Sequence, residues 1–422
     1  MMENRLEPVL TSFEPGQTNW RTWLEHTHHA ARPWSSSDRP LIRDESWKYT
    51  RKSAFNITDG ITLPTPVIRT AFDHRTNWQP LKRTRQWSLM SLACAYSEHA
   101  DLVTTFFGKM AGLQTRQLTA LNTGAFRDGI FLYIPPGRCL SEPIELTLML
   151  SPGTTAAFPR VLILLGAGAN AHVMERHVWT DGLSQPPSGV NPPSRMINSI
   201  TEIHLGEQAA LTHYLEQTGD PSTRAVSLTA AHLSTDSTYQ SFQYDGCGFL
   251  LRHEHDIMLK GRGSRVQLDV LSLLSKGEHH DHQTRLVHAA PATQSTQRIR
   301  SVVGARATSI YGGHIRISPE AKGSEAAQNN HHLLLDSSAR AMSRPELEIG
   351  VDDVRCTHGA TSGELNQDTL FYLRSRGIDQ RQARHILITG FTEEFLAGIP
   401  SETIRAHWRS NVDGILAKLE ES

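Results

Sequence analysis

Two segments, Leu164–His177 (LLGAGANAHVMERH) and His204–Gln217 (HLGEQAALTHYLEQ), share one plan: strand-like residues, a glycine, a corner of small residues, and strand again. Looser copies follow at Leu259–Val270 (LKGRGSRVQLDV) and Val302–Gly313 (VVGARATSIYGG). A strand that turns a tight corner and resumes, several times over, is the unit of a β-solenoid, whose coils bury their inward residues against one another. Around these copies, from about Leu118 to Val354, the hydrophobic period is two. The runs include GIFLYIPPG, RVLILLG, SITEIHLG, DIMLKG, SRVQLDVLSLL, GHIRIS and ELEIG, most of them ending at Gly, Pro or Ser. No intervening stretch offers a 10–15-residue amphipathic helix, which argues against βαβ units. A two-sheet sandwich is the competing account. Its hairpins would use the Asp-Gly pairs at Asp128, Asp181 and Asp245, of which only Asp245–Gly246 has strand-like runs close on both sides. The repeat favours the solenoid.

The flanks have a helical period. In residues 1–115, Trp20, Leu24 and Thr27 share a helical face, and Arg85–Met110 is apolar-rich and free of Pro and of Gly before Gly108. The polar stretch PWSSSDRP connects them. After Thr361, Asn366 or Asp368 can cap a helix that Gly377 ends, and Asp379 opens another with Ala383, Leu387, Phe391 and Phe395 at spacings of four. A third follows Pro400–Ser401, with Ile404, Trp408, Val412, Ile415 and Leu419 on one face. The expected organisation is a mostly helical 1–115, a β core over 116–361 and a helical module over 362–422 that binds a partner.

The charge balance, 42 Lys and Arg against 43 Asp and Glu, gives no electrostatic reason to expect nucleic acid or an anionic membrane as partner. The opening MMENRLEPVL has charges where a signal peptide needs an apolar run, and Val161–Ala169, the longest apolar stretch, is far short of the ~20 residues of a membrane span. A cytoplasmic, soluble chain is the expectation. Cys94, Cys139, Cys247 and Cys356 are scattered and form no CxxC, so reduced thiols are expected rather than a disulfide framework or a self-contained thiolate cluster. No GxxxxGK[ST], no strand-to-helix GxGxxG, no GxSxG and no HExxH is present, so P-loop, Rossmann, serine-hydrolase and zincin chemistry lack their motifs. A solenoid can also be a carbohydrate-active enzyme, which wants a carboxylate-rich groove and secretion.

The chemistry-bearing candidate is Cys356–Thr357–His358. Leu347, Ile349 and Val351 hold one strand parity and Val354, Cys356, His358 and Ala360 the other, so Asp352–Asp353 shifts the register as a corner or bulge would. Cys356 and His358 then share a face, ~6–7 Å apart along the strand, suitable for two ligands of one metal centre or for a thiol tuned by an imidazole. A buried thiol beside a turn histidine is the plainer account. Among 22 histidines, EHTHH (Glu25–His29), EHHDH (Glu278–His282) and NNHH (Asn329–His332) can each be drawn as a metal site, with His280, His282 and Glu278 on one face of the second. Solvated faces are the expectation for all three.

Three blocks, DESWKYT (Asp44–Thr50), LNTGAFRDGIFLYIPPG with EPIEL (Leu121–Leu146), and RPELEIGVDDVRCTHGATSGELNQDTLFYLRSRGI (Arg344–Ile378), resemble the SufB/SufD family of iron–sulfur cluster assembly proteins, in the family's order across nearly the whole chain. The length and the shortage of cysteines are more similar to SufD than to SufB, and Gly124 stands where the family more often shows LNTAF. The resemblance implies a right-handed parallel β-helix flanked by N-terminal and C-terminal helical domains. It implies a non-catalytic scaffold that pairs with a SufB subunit through the β-helix and with the ATPase SufC through the C-terminal helices, so that ATP chemistry belongs to SufC. Cys356 and His358 match the family's Cys–x–His. There His358 would be a ligand of iron or a nascent cluster shared with the partner, and Cys356 would act as a thiolate only beside a metal or positive charge. Phe371, Tyr372, Leu373, Arg374, Arg376 and Gly377 match the segment associated with SufC docking. A cluster-bearing SufB-type subunit is the alternative within the family, and self-association without SufB is left open.

Overall fold

In a computed structural model the chain is described over residues 19–35, 50, 68–69, 87–109, 117–149, 156–179, 195–219, 223–246 and 248–421. Over residues 195–334 strands alternate between two sheets, each pairing in parallel with the strands two before and two after it, which is the connectivity of a solenoid of about seven turns. One sheet holds β1 (Ile68–Arg69), β4 (Ile144–Met149), β7 (Asn170–Trp179), β9 (Ala210–Gly219) and β11 (Thr238–Gly246). It continues through β13 (Arg265–Leu274), β15 (Gln294–Val303), β17 (Ser324–Leu334) and β19 (Val354–Glu364). The facing sheet holds β2 (Ser88–Ser91), β3 (Gly129–Ile134), β6 (Arg160–Leu165), β8 (Arg195–Leu205) and β10 (Thr223–Leu233), with β5 (Ala156–Ala157) beside β8. It continues through β12 (Leu250–Leu259), β14 (His279–His288), β16 (Thr308–Ile317) and β18 (Arg340–Ile349). The Asp245–Gly246 pair is therefore no hairpin: β11 and β12 lie in opposite sheets. Asp181–Gly182 lies outside the described residues, as do PWSSSDRP beyond Ser35, Cys247, and all of DESWKYT but Thr50.

The corners explain the small-residue signature of the repeat. Each turn places one residue in the left-handed region: Gly168, Gln208, Asp236, Gly263, Ala292 and Gly323 along one edge, with φ between 55 and 70°. Their amides stack into a ladder of their own, Gly168 donating to Glu207, Gln208 to Thr235 and Asp236 to Arg262 across successive coils. The same periodicity builds the interior. Leu211, Tyr239, Val266, Ser295, Ala326 and Cys356 occupy one inward column. Part of the interior is aliphatic, with Ile203, Leu205, Leu211, Ile257 and Ile315 buried together. The remainder is polar and equally buried, and includes Glu175, His213, Gln243, His255, His282 and His332.

At its start the solenoid is closed by strands of reversed direction. β1 runs antiparallel to β4 and β2 antiparallel to β3. The stretch expected as one long helix is divided: after β2, Ser91 caps α2 (Leu92–Glu98) by accepting from the Cys94 amide, and His99 separates it from α3 (Ala100–Phe106). The period-two region likewise begins later than Leu118, because Gln117–Ala125 is helical (α4) and carries Gly124 inside it rather than in a loop. With α1 (Trp20–Ser35) these helices cover the outer face of the β2 sheet through Trp23, Tyr96, Phe107, Phe126 and Phe131. The opposite sheet is covered by α5 (Gln367–Ser375), α6 (Gln380–Leu396) and α7 (Glu402–Glu421), whose Phe395, Trp408 and Leu416 pack on Tyr214, Phe242 and Tyr244. β19 runs to Glu364, so the strand-to-helix change falls three residues beyond Thr361, at the Asn366 N-cap. No described helix is long and apolar enough to cross a membrane.

Candidate functional site

Gly350–Asp353 is the corner between β18 and β19, and beyond it Val354, Cys356, His358, Ala360 and Ser362 take the inward parity of the last coil. Cys356 stacks over Ala326 and His358 over the buried Gln328. In any earlier coil such positions are sealed by the next rung. No described strand pairs with the outer edge of β19, so His358 is exposed although it faces the interior column, while Cys356 is half-buried against the aliphatic core. Burial raises the Cys356 thiol above its ordinary range, so at neutral pH it is a thiol that a metal would have to deprotonate. The strand thus places Cys356 and His358 on one face, as their spacing predicts, and presents them as two donors on an accessible rim. Among the described residues no group of three or more His, Cys, Asp or Glu is arranged to hold a metal ion. A cluster bridging this rim would need ligands from elsewhere.

The histidine clusters resolve differently from a solvated face. In EHHDH, His280 and His282 point into the coil and are buried, while Glu278 sits in the preceding turn and accepts the amides of Ser275 and Gly248 at 2.7 and 3.1 Å. Glu278 therefore does not share their face. Asp281 points outward, ion-paired with the buried Arg252 and accepting from the Thr50 hydroxyl. In NNHH, Asn330 and His332 face inward and are buried, and His331 faces outward to Thr361 at 2.7 Å. In EHTHH, His28 reaches the Phe126 carbonyl at 2.7 Å and Glu25, His26 and His29 are exposed.

The inward polar groups form hydrogen-bonded chains that the residue pattern alone does not reveal. His213 donates through Nε2 to Glu175 and accepts from Tyr239 through Nδ1, both at 3.0 Å. Burial alone would raise the Glu175 carboxyl, but His177 and His213 overcome it and hold Glu175 well below the carboxylate range. Further along, Gln217 donates to His253, His255 donates to Gln243, and Gln243 donates to Asp245, which also accepts from His282 at 3.1 Å. A signal existed in the alternation of Gln297 with Ser301 and of Gln328 with His332 at every second place or its multiple, but only the strand's facing tells inside from outside.

On α5, Phe371 and Tyr372 are 74% and 56% exposed, and the Arg376 guanidinium lies 5.2 Å from the Tyr372 ring centroid. Phe371, Arg374, Gly377, Ile378 and Asp379 line an open groove of about 610 Å³ where α5 gives way to α6, with Gly377 in the left-handed region at φ 86°. Leu373 does not belong to this surface: helical periodicity turns it with Leu370 toward the core beneath.

Comparison with known proteins matches residues 148–391 to the SufBD core domain of the SUF system for FeS cluster assembly, and residues 67–146 to the SufBD protein N-terminal region. Relatives include an iron–sulfur cluster assembly SufBD family protein of Synechocystis, 28% identical over 69% of this chain and 64% of its own length. The iron–sulfur cluster assembly protein SufD of Bacillus subtilis is 27% identical over 74% of this chain and 70% of its own. SufD of Escherichia coli is 28% identical over 57% of this chain, and the match spans 55% of that relative. A core-domain match over more than half of the chain, together with SufD relatives, establishes that the chain belongs to the SufB/SufD family of iron–sulfur cluster assembly proteins and is SufD-like.

Proposed function

We propose that this chain is the SufD-like subunit of a SufB–SufC–SufD complex, with the last coil of the solenoid facing a SufB-type partner. The observation that carries the reading is the exposure of inward-facing His358 at an open solenoid end. A second coil laid against that end would complete the hydrogen bonding of β19 and bring further ligands to the rim. In this arrangement His358 offers an imidazole nitrogen to the iron or nascent cluster being assembled, which is cargo of the complex. Cys356 adds a thiolate once metal lowers its pKa. The described cysteines, Cys94, Cys139 and Cys356, belong to α2, an isolated bridge before β4 and β19, a distribution that favours a shared cluster over one carried by this chain alone.

The exposed Phe371–Tyr372 pair and the adjoining groove suit a SufC-type ATPase, in which the ATP chemistry resides. The test is coexpression with SufB- and SufC-type partners, followed by iron and sulfide analysis of the purified complex. His358→Ala is expected to lower cluster content at least several-fold and Cys356→Ala by less, with the complex intact. Full cluster content in His358→Ala rejects the ligand assignment. Phe371→Ala with Tyr372→Ala is expected to lose the ATPase subunit and keep the SufB-type partner. Point changes are cleaner here than removing the helical module, whose loss would uncover Tyr214, Phe242 and Tyr244.

A further inference from the structure

A cluster of donors unrelated to the terminal coil lies on the outer face of the β2 sheet. The strand register sets His204 of β8 beside His232 of β10, and His232 beside Met258 of β12. All three side chains are half-buried on one column of adjacent rungs, spaced roughly 4.8 Å per strand. The two imidazoles meet edge to face with ring centroids 5.4 Å apart, and Phe106 of α3 covers His204 at 4.7 Å.

His204 has the bonding pattern of a metal ligand. The ring lies against Phe106, and Nε2 is buried with no hydrogen-bond partner. The tautomer protonated at Nδ1 leaves a bare lone pair on Nε2, free to meet a metal. Both rings are half-buried, His204 beneath Phe106, surroundings that favour the neutral, ligating imidazole over the charged one. The third donor is a thioether. Two neutral imidazoles and a methionine sulfur, with no carboxylate or thiolate among them, select a soft monovalent ion over zinc, iron or magnesium. The opposing charge is that of Lys260, an exposed residue whose ammonium is screened by solvent.

We propose that His204, His232 and Met258 form a binding site for a soft monovalent cation, Cu(I), beneath the end of α3. The full chain is titrated anaerobically with Cu(I) against bicinchoninate, with Cys94, Cys139, Cys247 and Cys356 replaced by Ser so that thiolates do not compete. A wild-type chain alkylated at its cysteines serves if that variant folds poorly. One Cu(I) per chain is expected, with two nitrogen neighbours and one sulfur neighbour in X-ray absorption. His204→Gln and His232→Gln should each weaken binding by about 100-fold, and Met258→Leu by about 10-fold with loss of the sulfur neighbour. Lys260→Gln should tighten it by about threefold, a change that no loss of folding can mimic. Circular dichroism melts confirm that each variant is folded. Absence of Cu(I) binding, binding indifferent to these four substitutions, or Zn(II) binding of equal affinity would each overturn the proposal.

Discussion

An imidazole inside a coil stays neutral where no carboxylate offsets its burial, because ionising it away from water costs several kcal/mol. Burial pushes His255 and His280 down to about 3, and His288 and His332 down to about 4. The folded state therefore binds fewer protons than the unfolded chain, whose histidines titrate near ~6.5. Stability is full above that value and falls as the pH drops toward 4, by roughly 2 kcal/mol per wholly buried imidazole between neutrality and pH 5. Urea unfolding from pH 7.5 to 5 should accordingly show a steep loss. His255→Gln, which keeps a donor toward Gln243, should reduce the slope by about one proton; an unchanged slope would mean that His255 is already charged in the fold. Two of them, His280 in EHHDH and His332 in NNHH, were visible as residues but not as interior ones. Parity gives two faces, and nothing in the sequence says which is the inside when both carry polar groups.

At the level of elements, the corners and the helix docking carry the strongest local specifications. Ala292 adopts φ 56° where neighbouring coils use Gly263 and Gly323. Replacing it by glycine removes a left-handed penalty of about 1–2 kcal/mol against a loss of chain entropy of up to about 1, so Ala292→Gly should raise the unfolding free energy by roughly 0.5 kcal/mol. A fall in stability would show that the Ala292 methyl contributes packing that its corner position conceals. The helical module is fastened differently. The buried Glu216 of β9 accepts from Trp408 Nε1 and Asn411, each at 3.2 Å, and Trp408 stacks on Phe395 at 5.9 Å. Trp408→Ala should cost about 3–5 kcal/mol and make α5–α7 the first site of proteolysis, ahead of the coil. The heptad-like face from Ile404 to Leu419 was readable because one amphipathic stripe has one burial solution. The break at His99 was not, since a strand ending in a good cap and a helix share the same apolar residues.

Taken whole, the molecule is a stack in which each coil contacts mainly its neighbours, with one helical cover on each flank. Stacks of this kind open from their ends. The β18 and β19 strands carry much more exposed side-chain surface than β8 to β14, so their amides should exchange fastest among the strands of the solenoid. Hydrogen exchange on the complex with a SufB-type partner should slow them selectively; equal protection before and after would place the partner elsewhere. The solenoid itself was legible because the repeat recurs over several coils. Its open end was not, because a last coil has the same sequence pattern as any other until one asks what lies on top of it.

The reversed strands at the other end give this architecture a stopping rule. A parallel stack with two like ends can add copies head to tail without limit, as fibres do. Here β1 and β2 run against the direction of the stack, so an incoming β19 edge meets no parallel template there. Among the described strands, growth of the parallel stack has one live terminus, at β19. Any union made through it consumes both termini and halts at two subunits, whether the second is another family member or a copy of this chain. Light scattering at rising concentration should therefore plateau at a dimer mass rather than climb toward filaments.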